Sequence, residues 1–387
     1  MDIQKARSLF PYLKTGKIYL GHASTAPMST NVIERLNKYI IDRSEGVIDD
    51  YKAVLRSIDS VKAGLGRMIN TTPDRIAFTD NTNNGINILA QSVVWEKGDR
   101  IILNDIEFPA NVYPFMCLKD KGVEIDFVES HDGIVSAEDI INAITPKTRL
   151  ISISQVQFLS GYRVDLEAIG KVCSERGIIF SVDAIQGLGA VRLDVQKSHI
   201  DFISCGTQKW LLGLQGLAFI YLSKSLQEKM EPKHTGWLSV EDAWNLLDFK
   251  LIYKTTAEVF QGGTMNYPGI HVMDASLKLF EEFGFDEIEE RIIENSVYFI
   301  DRLTEIGIVT YPADVDRKFL SGIVSFRHPS ADKIFHKLLG KNIISSLREG
   351  GIRFAHHFYN SKEDIDKVID ALKEILEGLE QKGEQER

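Results

Sequence analysis

Gly177-Ile178-Ile179-Phe180-Ser181-Val182-Asp183-Ala184-Ile185-Gln186 and Ser204-Cys205-Gly206-Thr207-Gln208-Lys209-Trp210-Leu211-Leu212-Gly213 decide how this chain is read. The first stretch is a continuous apolar run that ends in a carboxylate. The second opens as a short apolar run and becomes a loop of small residues carrying a lysine. Similar runs recur on either side, and strands are predicted at 75–79, 100–104, 123–128, 149–154, 178–182, 202–204 and 217–222. Most are continuous rather than alternating, as expected of a sheet covered on both faces. Helical patterns between them imply right-handed crossovers and an open, mostly parallel α/β sheet. In such sheets a ligand sits beyond the carboxyl ends of the strands. Asp183 lies at one such end, and Thr82-Asn83 lies just beyond another.

The chain has 387 residues, 44% of them hydrophobic and 26% charged, which suffices for two domains with cores of their own. Its net charge is −10 and no basic stripe is visible, so neither nucleic acid nor an anionic membrane is an expected partner. The opening residues, Met1 to Arg7, lack the apolar centre of a secretory signal, and no run reaches the length of a membrane span. A cytoplasmic protein is expected. Cys117, Cys173 and Cys205 are far apart, without metal-ligand spacing, and read as buried reduced thiols. No metal site is expected.

The C-terminal part reads differently. Helices are predicted at 273–284 and 287–306, strands near 308–311 and 322–327, and a final helix whose Ile365, Val368, Ile369, Leu372, Leu376 and Leu379 recur at helical spacing. Ser361 with Asp364 forms a candidate N-terminal cap. Residues 381–387 form a charged tail. The expected division is a large domain over 21–270 and a smaller α+β domain from 1–20 and 271–387.

A strand-end aspartate followed one αβ unit later by a lysine in a small-residue loop is what pyridoxal 5'-phosphate (PLP) requires. The lysine forms a Schiff base with the aldehyde, and the aspartate keeps a proton on the ring nitrogen. A phosphate needs free N–H groups at a helix start, together with hydroxyls. Phe78-Thr79-Asp80-Asn81-Thr82-Asn83-Asn84-Gly85 supplies a strand, a polar turn and a helix beginning. Gln261-Gly262-Gly263-Thr264 is a second candidate, because two glycines let a backbone come close to an anion. Phe108, in Glu107-Phe108-Pro109-Ala110-Asn111, is a candidate for stacking on a flat ring.

Taken in order, these stretches resemble fold-type I PLP enzymes, specifically the class V aminotransferase group. That group includes cysteine desulfurases, kynureninases and isopenicillin N epimerase-like proteins. The resemblance runs from Tyr19-Leu20-Gly21-His22-Ala23-Ser24-Thr25-Ala26-Pro27 to Arg348-Glu349-Gly350-Gly351-Ile352-Arg353-Phe354. It implies that Lys209 carries the cofactor as an internal aldimine and that Asp183 pairs with the ring nitrogen. It places Gln186 and Gln157 near the ring hydroxyl, with Gln155 as the fallback for Gln157. Thr82, Asn83 and Gln208 would hold the phosphate, and Thr264 would reach it from the other subunit of a homodimer. Phe108 would stack on the ring. Arg353 would grip the carboxylate of a small amino acid substrate, with Ala23 and His22 lining the same space.

Departures narrow the resemblance. Cysteine desulfurases carry a catalytic Cys on a loop between the two arginine positions. Here only Glu349-Gly350-Gly351-Ile352 separates Arg348 from Arg353, and no Cys follows Cys205. Phe108 and Gln208 stand where desulfurases have histidines. These choices point to the epimerase-like and kynureninase-like side. Transamination is the leading expectation, with β-lyase or epimerase chemistry as alternatives and a non-catalytic PLP-binding protein as the rival of a different class. Epimerisation needs a second proton donor, for which His22, His356 and His357 are candidates. Trp237 is a candidate for the side-chain pocket.

Overall fold

The structure, a computed structural model, describes residues 1–385. A short strand, β1 (Ile18–Tyr19), precedes seven that form the main sheet. These are β2 (Ile76–Thr79), β3 (Arg100–Asn104), β4 (Glu124–Val128), β5 (Thr148–Ser154), β6 (Ile179–Asp183), β7 (Phe202–Gly206) and β8 (Ala218–Leu222). All seven lie within a residue or two of the predicted runs. The spatial order is β2-β8-β7-β6-β5-β3-β4. Only β8 runs against its neighbours; β3, β4, β5, β6 and β7 are parallel. Every residue of β6, β7 and β8 is buried, which is why their sequences are apolar without alternation.

Register fixes what stands at the carboxyl edge. Ser154 pairs with Asp183, and Asp183 pairs with Ser204, so the ends of β5, β6 and β7 lie side by side. The helix Thr82–Ser92 packs closely on this edge. A Cβ on Gly85 would come within 2.2 Å of the Ser204 hydroxyl, so only glycine allows this approach.

The remaining strands are β9 (Ile323–Arg327), β10 (Ile343–Ile344), β11 (Ser346–Arg348) and β12 (Gly351–Ala355). An antiparallel sheet of order β11-β12-β9 packs on the helices Phe285–Glu305, Ala331–Gly340 and Lys362–Gln385. β1 pairs in parallel with β10 and ties the N-terminal segment to this unit. The last helix carries the expected reciprocal cap. Asp364 N–H donates to the Ser361 hydroxyl at 3.3 Å, and Ser361 N–H donates to the Asp364 carboxylate at 3.1 Å. Its residues Ile365, Val368, Ile369 and Leu372 are fully buried. Residues 386–387 of the expected tail lie outside the described residues.

Two expectations are corrected. The run at 308–311 is not a strand. Tyr311 N–H makes a single bond to Ser325 O at 2.7 Å, Pro312 has no N–H to offer a ladder, and Val309 faces solvent. The helix expected from 273 starts earlier, as Tyr267–Phe283. Its Ile270, Met273, Leu277 and Phe280 share the cluster of Val54, Ile58, Val61 and Leu65 from the helix Tyr51–Ile69. No helix among the described residues is long and apolar enough to cross a membrane.

Candidate active site

Asp183 ends β6 and is buried. Its Oδ1 accepts the N–H of Ile185 at 3.0 Å. Burial pushes this carboxyl up to about 7; the nearby Glu107 charge adds to the rise, and the Ile185 N–H and Lys209 oppose it. Lys209 follows β7. Burial pulls its amine down to about 8; Arg353 and Arg348 pull it further, while Asp183 and Cys205 oppose them. The chain thus brings a carboxyl raised by burial and an amine lowered by burial within range of each other's charge, the combination expected of a tuned site.

Phe108 stands beside Lys209. Its ring centroid lies 5.8 Å from Lys209 Nζ, and the ring meets Phe158 edge to face, yet it is 46% exposed. An aromatic face left open beside a buried amine suits a flat ring. The first turn of the helix Thr82–Ser92 offers an anion cradle. Asn81 caps the Asn84 N–H at 2.8 Å, while the N–H groups of Thr82 and Asn83 have no acceptor among the described residues. The Thr82 hydroxyl accepts the Gly206 N–H at 2.9 Å and keeps its own proton to donate. The Gln208 side chain makes no hydrogen bond among the described residues. A Cβ on Gly206 would lie 2.6 Å from its Oε1 and 3.2 Å from Thr82 Oγ1, so the two groups converge on a space that glycine keeps clear.

Arg353, on β12, is 2% exposed. It donates to Phe158 O at 2.7 Å and to the Ser24 hydroxyl at 3.2 Å, and its Nε is buried without an acceptor. Burial lowers its guanidinium to about 10, with Arg348 adding to the effect. A buried arginine with no acid is a waiting carboxylate site.

Gln157 donates to Glu107 at 3.0 Å and leaves its buried Oε1 without a partner. Gln155 donates to Arg192 O and also leaves its buried Oε1 without a partner, so what sets Gln157 apart is its bond to Glu107, the neighbour of Phe108. Gln186 is held differently from the expectation. Its Nε2 donates to Ala23 O at 3.0 Å and its Oε1 accepts from Trp210 Nε1 at 3.0 Å. It fastens the N-terminal segment to the residue after Lys209.

His22 is removed from the substrate-lining set, because its ring nitrogens bond Ala355 O at 2.8 Å and the Tyr359 hydroxyl at 2.6 Å inside the core. Ala23 is buried beside it and meets the site only through its carbonyl. His356 and His357 are also core residues, bonded to Ile292 O and Trp210 O; burial holds them down at about 4 and about 3. None of the three is placed to protonate a substrate. Trp237 packs on Trp244, and its indole lies beside Gly263, where an added Cβ would come within 3.7 Å of Nε1. Thr264 is exposed and lines a cavity of about 240 Å³ with Thr79, Asp80 and Gly216; no hydrogen bond links it to the cradle within one chain.

One residue went unassigned in the sequence reading. Glu107 is 7% exposed and accepts five hydrogen bonds, from Asn104 Nδ2, Asn111 Nδ2, Ser154 N–H, the Ser154 hydroxyl and Gln157 Nε2. The only signal for it was an acid just beyond the end of β3.

A model of the family described as Aminotransferase class-V matches residues 18–368. The chain is 26% identical to the uncharacterized aminotransferase YcbU of Bacillus subtilis, over 95% of this chain and 97% of that protein. It is 27% identical to a probable cysteine desulfurase of Methanothermobacter thermautotrophicus, over 97% of this chain and 98% of the relative. Among solved structures it is similar to the cystine C–S lyase C-DES in complex with its product cysteine persulfide. That match has a TM-score of 0.86 and 22% identity, and covers 94% of this chain and 99% of the other. A lysine-to-alanine mutant of C-DES carries glycine covalently linked to its PLP cofactor.

Proposed function

From the premise that this chain belongs to the class V aminotransferase family, whose enzymes work with PLP, we propose that it is a carbon–sulfur β-lyase acting on an α-amino acid. The reading departs from the leading expectation of transamination. What favours it is the company of desulfurases and of a cystine lyase among the similar proteins, joined to one structural observation.

That observation is the hairpin between β11 and β12. Arg348 pairs directly with Gly351, and Glu349 and Gly350 make the turn with φ of 45° and 73°. No loop exists there to carry a thiol. Of the cysteines, Cys205 and Cys173 are buried with thiols pushed up by burial; Cys117, expected to be buried, is exposed, and it precedes β4, at the opposite end of the strands from Lys209. Sulfur leaving the substrate therefore has no protein thiolate to receive it.

When bound, PLP supplies a carbonyl that takes amines covalently and a ring that draws electrons from the substrate Cα. The other roles fall to the chain. Arg353 holds the α-carboxylate with its fork and its unpartnered Nε. Lys209, near neutral, takes the Cα proton and returns a proton to the departing sulfur. Asp183 would hold a proton on the ring nitrogen, and Phe108 would cover one face of the ring. The overall reaction balances with one water: the amino acid yields pyruvate, ammonia and a thiol or, from a disulfide, a persulfide. A homodimer belongs to the same proposal, since Thr264 reaches no cradle in its own chain and Trp244, Leu247 and Phe249 of the preceding segment are 63%, 85% and 91% exposed.

The test is product analysis of the holoenzyme with cysteine, cystine and S-alkylcysteines. Equimolar pyruvate and ammonia with released sulfide, thiol or persulfide supports the proposal. Alanine as the product, or a sulfur-retaining keto acid without ammonia, overturns it.

A further inference from the structure

Binding one α-carboxylate needs one arginine, and Arg353 supplies it. The site holds a second. In the β11–β12 hairpin Ser346 stands opposite Arg353 and Arg348 stands opposite Gly351, so the two arginines lie diagonally on one face of the ladder. Both reach the same hydroxyl. Arg348 Nη2 lies 3.4 Å and Arg353 Nη2 3.2 Å from Ser24 Oγ. Their other recorded acceptors are backbone carbonyls, of Leu347 at 2.8 Å and Phe158 at 2.7 Å. No carboxylate lies within 4.0 Å of either guanidinium among the described residues. Arg353 is buried and Arg348 is exposed; like charges placed diagonally on one ladder repel, and no acid among the described residues pairs with either. The same pair acts on Lys209, whose amine both of them push down.

We propose that the substrate is dianionic: an α-amino acid whose β-sulfur substituent ends in a second carboxylate or a sulfonate, held by Arg348 while Arg353 holds the α-carboxylate. The inference rests on the β-lyase reading for the position of the sulfur, and on the arginine pair alone for the two charges. A guanidinium fork grips a carboxylate or sulfonate through paired N–H donors, which a neutral alkyl group cannot accept.

Two measurements on the holoenzyme test it. The first is competitive inhibition by unreactive acids, with succinate, glutarate and adipate set against propionate, butyrate and valerate. The best dicarboxylate should bind about tenfold or more tighter than the best monocarboxylate, the step expected for one charge-assisted contact. Arg348→Met should collapse that ratio to within about twofold, and Arg348→Lys should keep part of it as a point charge. The second compares kcat/KM for S-carboxymethylcysteine and S-ethylcysteine, whose ratio should fall by about tenfold in Arg348→Met, chiefly through KM. Wild-type protein that does not distinguish the two acid series overturns the proposal, as does a variant that loses both substrates equally. The first measurement needs no turnover. Dicarboxylate selectivity without any β-elimination product would overturn the lyase reading, and with it the place of the sulfur, and leave the two-charge inference standing.

Discussion

Replacing Glu107 tests how the floor of the site is held. Its Oε1 accepts from Asn104, the Ser154 N–H and Gln157; its Oε2 accepts from Asn111 and the Ser154 hydroxyl. In Glu107→Leu the packing volume is largely kept, but all five donors lose their acceptor. The Ser154 hydroxyl can turn elsewhere, which leaves four. At about 1–3 kcal/mol for each buried donor left unmade, with some recovered by relaxation and water, the expected loss is about 4–8 kcal/mol. Glu107→Gln behaves differently. Its carbonyl can take the Oε1 place and keep three bonds, and the Ser154 hydroxyl can turn to accept from the new amide. Asn111 resists, because its Oδ1 accepts from the Ser152 hydroxyl at 2.7 Å; turning its amide requires that hydroxyl to donate to Ser181 Oγ at 3.1 Å instead. Without that turn, one donor facing a donor costs about 1–3 kcal/mol. Urea unfolding of the two apo variants beside wild type measures both. A leucine variant within about 1 kcal/mol of wild type, or a glutamine variant as damaged as the leucine one, would refute the network as described.

Three further outcomes follow from the site. Lys209→Ala should lose the yellow absorbance of the bound cofactor and at least about 10³-fold in turnover, because it removes both the attachment point and the base; retained turnover removes Lys209 from the mechanism. Arg353→Leu should lower kcat/KM for any amino acid substrate by about 30-fold or more through KM, as expected for a lost buried charge-assisted grip, with the steady-state constants as the check. The rate at which apoprotein takes up PLP should rise with pH and level off above about 8, since the neutral amine is the nucleophile and Lys209 is held near that value. An ordinary lysine would still be gaining rate well above pH 9. Removing positive neighbours raises the amine, so Arg348→Met should move the midpoint upward; stopped-flow absorbance reads both.

The main sheet was legible because its strands are covered on both faces, so burial wrote continuous apolar runs into the sequence. Asp183 and Lys209 were legible for a related reason: polar groups break such runs only at the strand ends. The helices Thr30–Glu45 and Tyr51–Ile69 fell outside that reading, although Ser29 and Asp50 cap them and Val54, Ile58, Val61, Leu65 and Met68 recur at helical spacing. Side-chain direction was the harder matter. Whether Gln186 faces a ring or fastens Trp210 to Ala23 depends on residues far away in the chain. His22 likewise turns to Tyr359 and Ala355, partners that no local pattern announces. Glu107 was read only as the residue before Phe108: Asn104 and Asn111 lie within four residues of it, but its other three hydrogen bonds come from Ser154 and Gln157, 47 and 50 residues further on.

The short β11–β12 hairpin has two consequences that belong together. Closing the chain through Glu349 and Gly350 leaves no room for a loop that could offer a nucleophilic thiol. The same closure sets Arg348 on the face of Arg353 and within reach of Ser24, so it adds a cation where it withholds a nucleophile. On the proposed β-lyase reading, a sulfur atom cleaved from the substrate departs with whatever it carries. A substituent bearing an anion would be held by Arg348 through the cleavage and released as a charged, soluble thiol or persulfide. Lengthening the turn by inserting glycines after Glu349 should separate these effects. It moves Arg348 away from Ser24 and leaves Arg353, on the strand bonded to β9, where it is. Dicarboxylate selectivity should disappear while binding of monocarboxylates survives. If selectivity persists in the lengthened hairpin, the second charge is read elsewhere and the pairing of the two arginines is incidental.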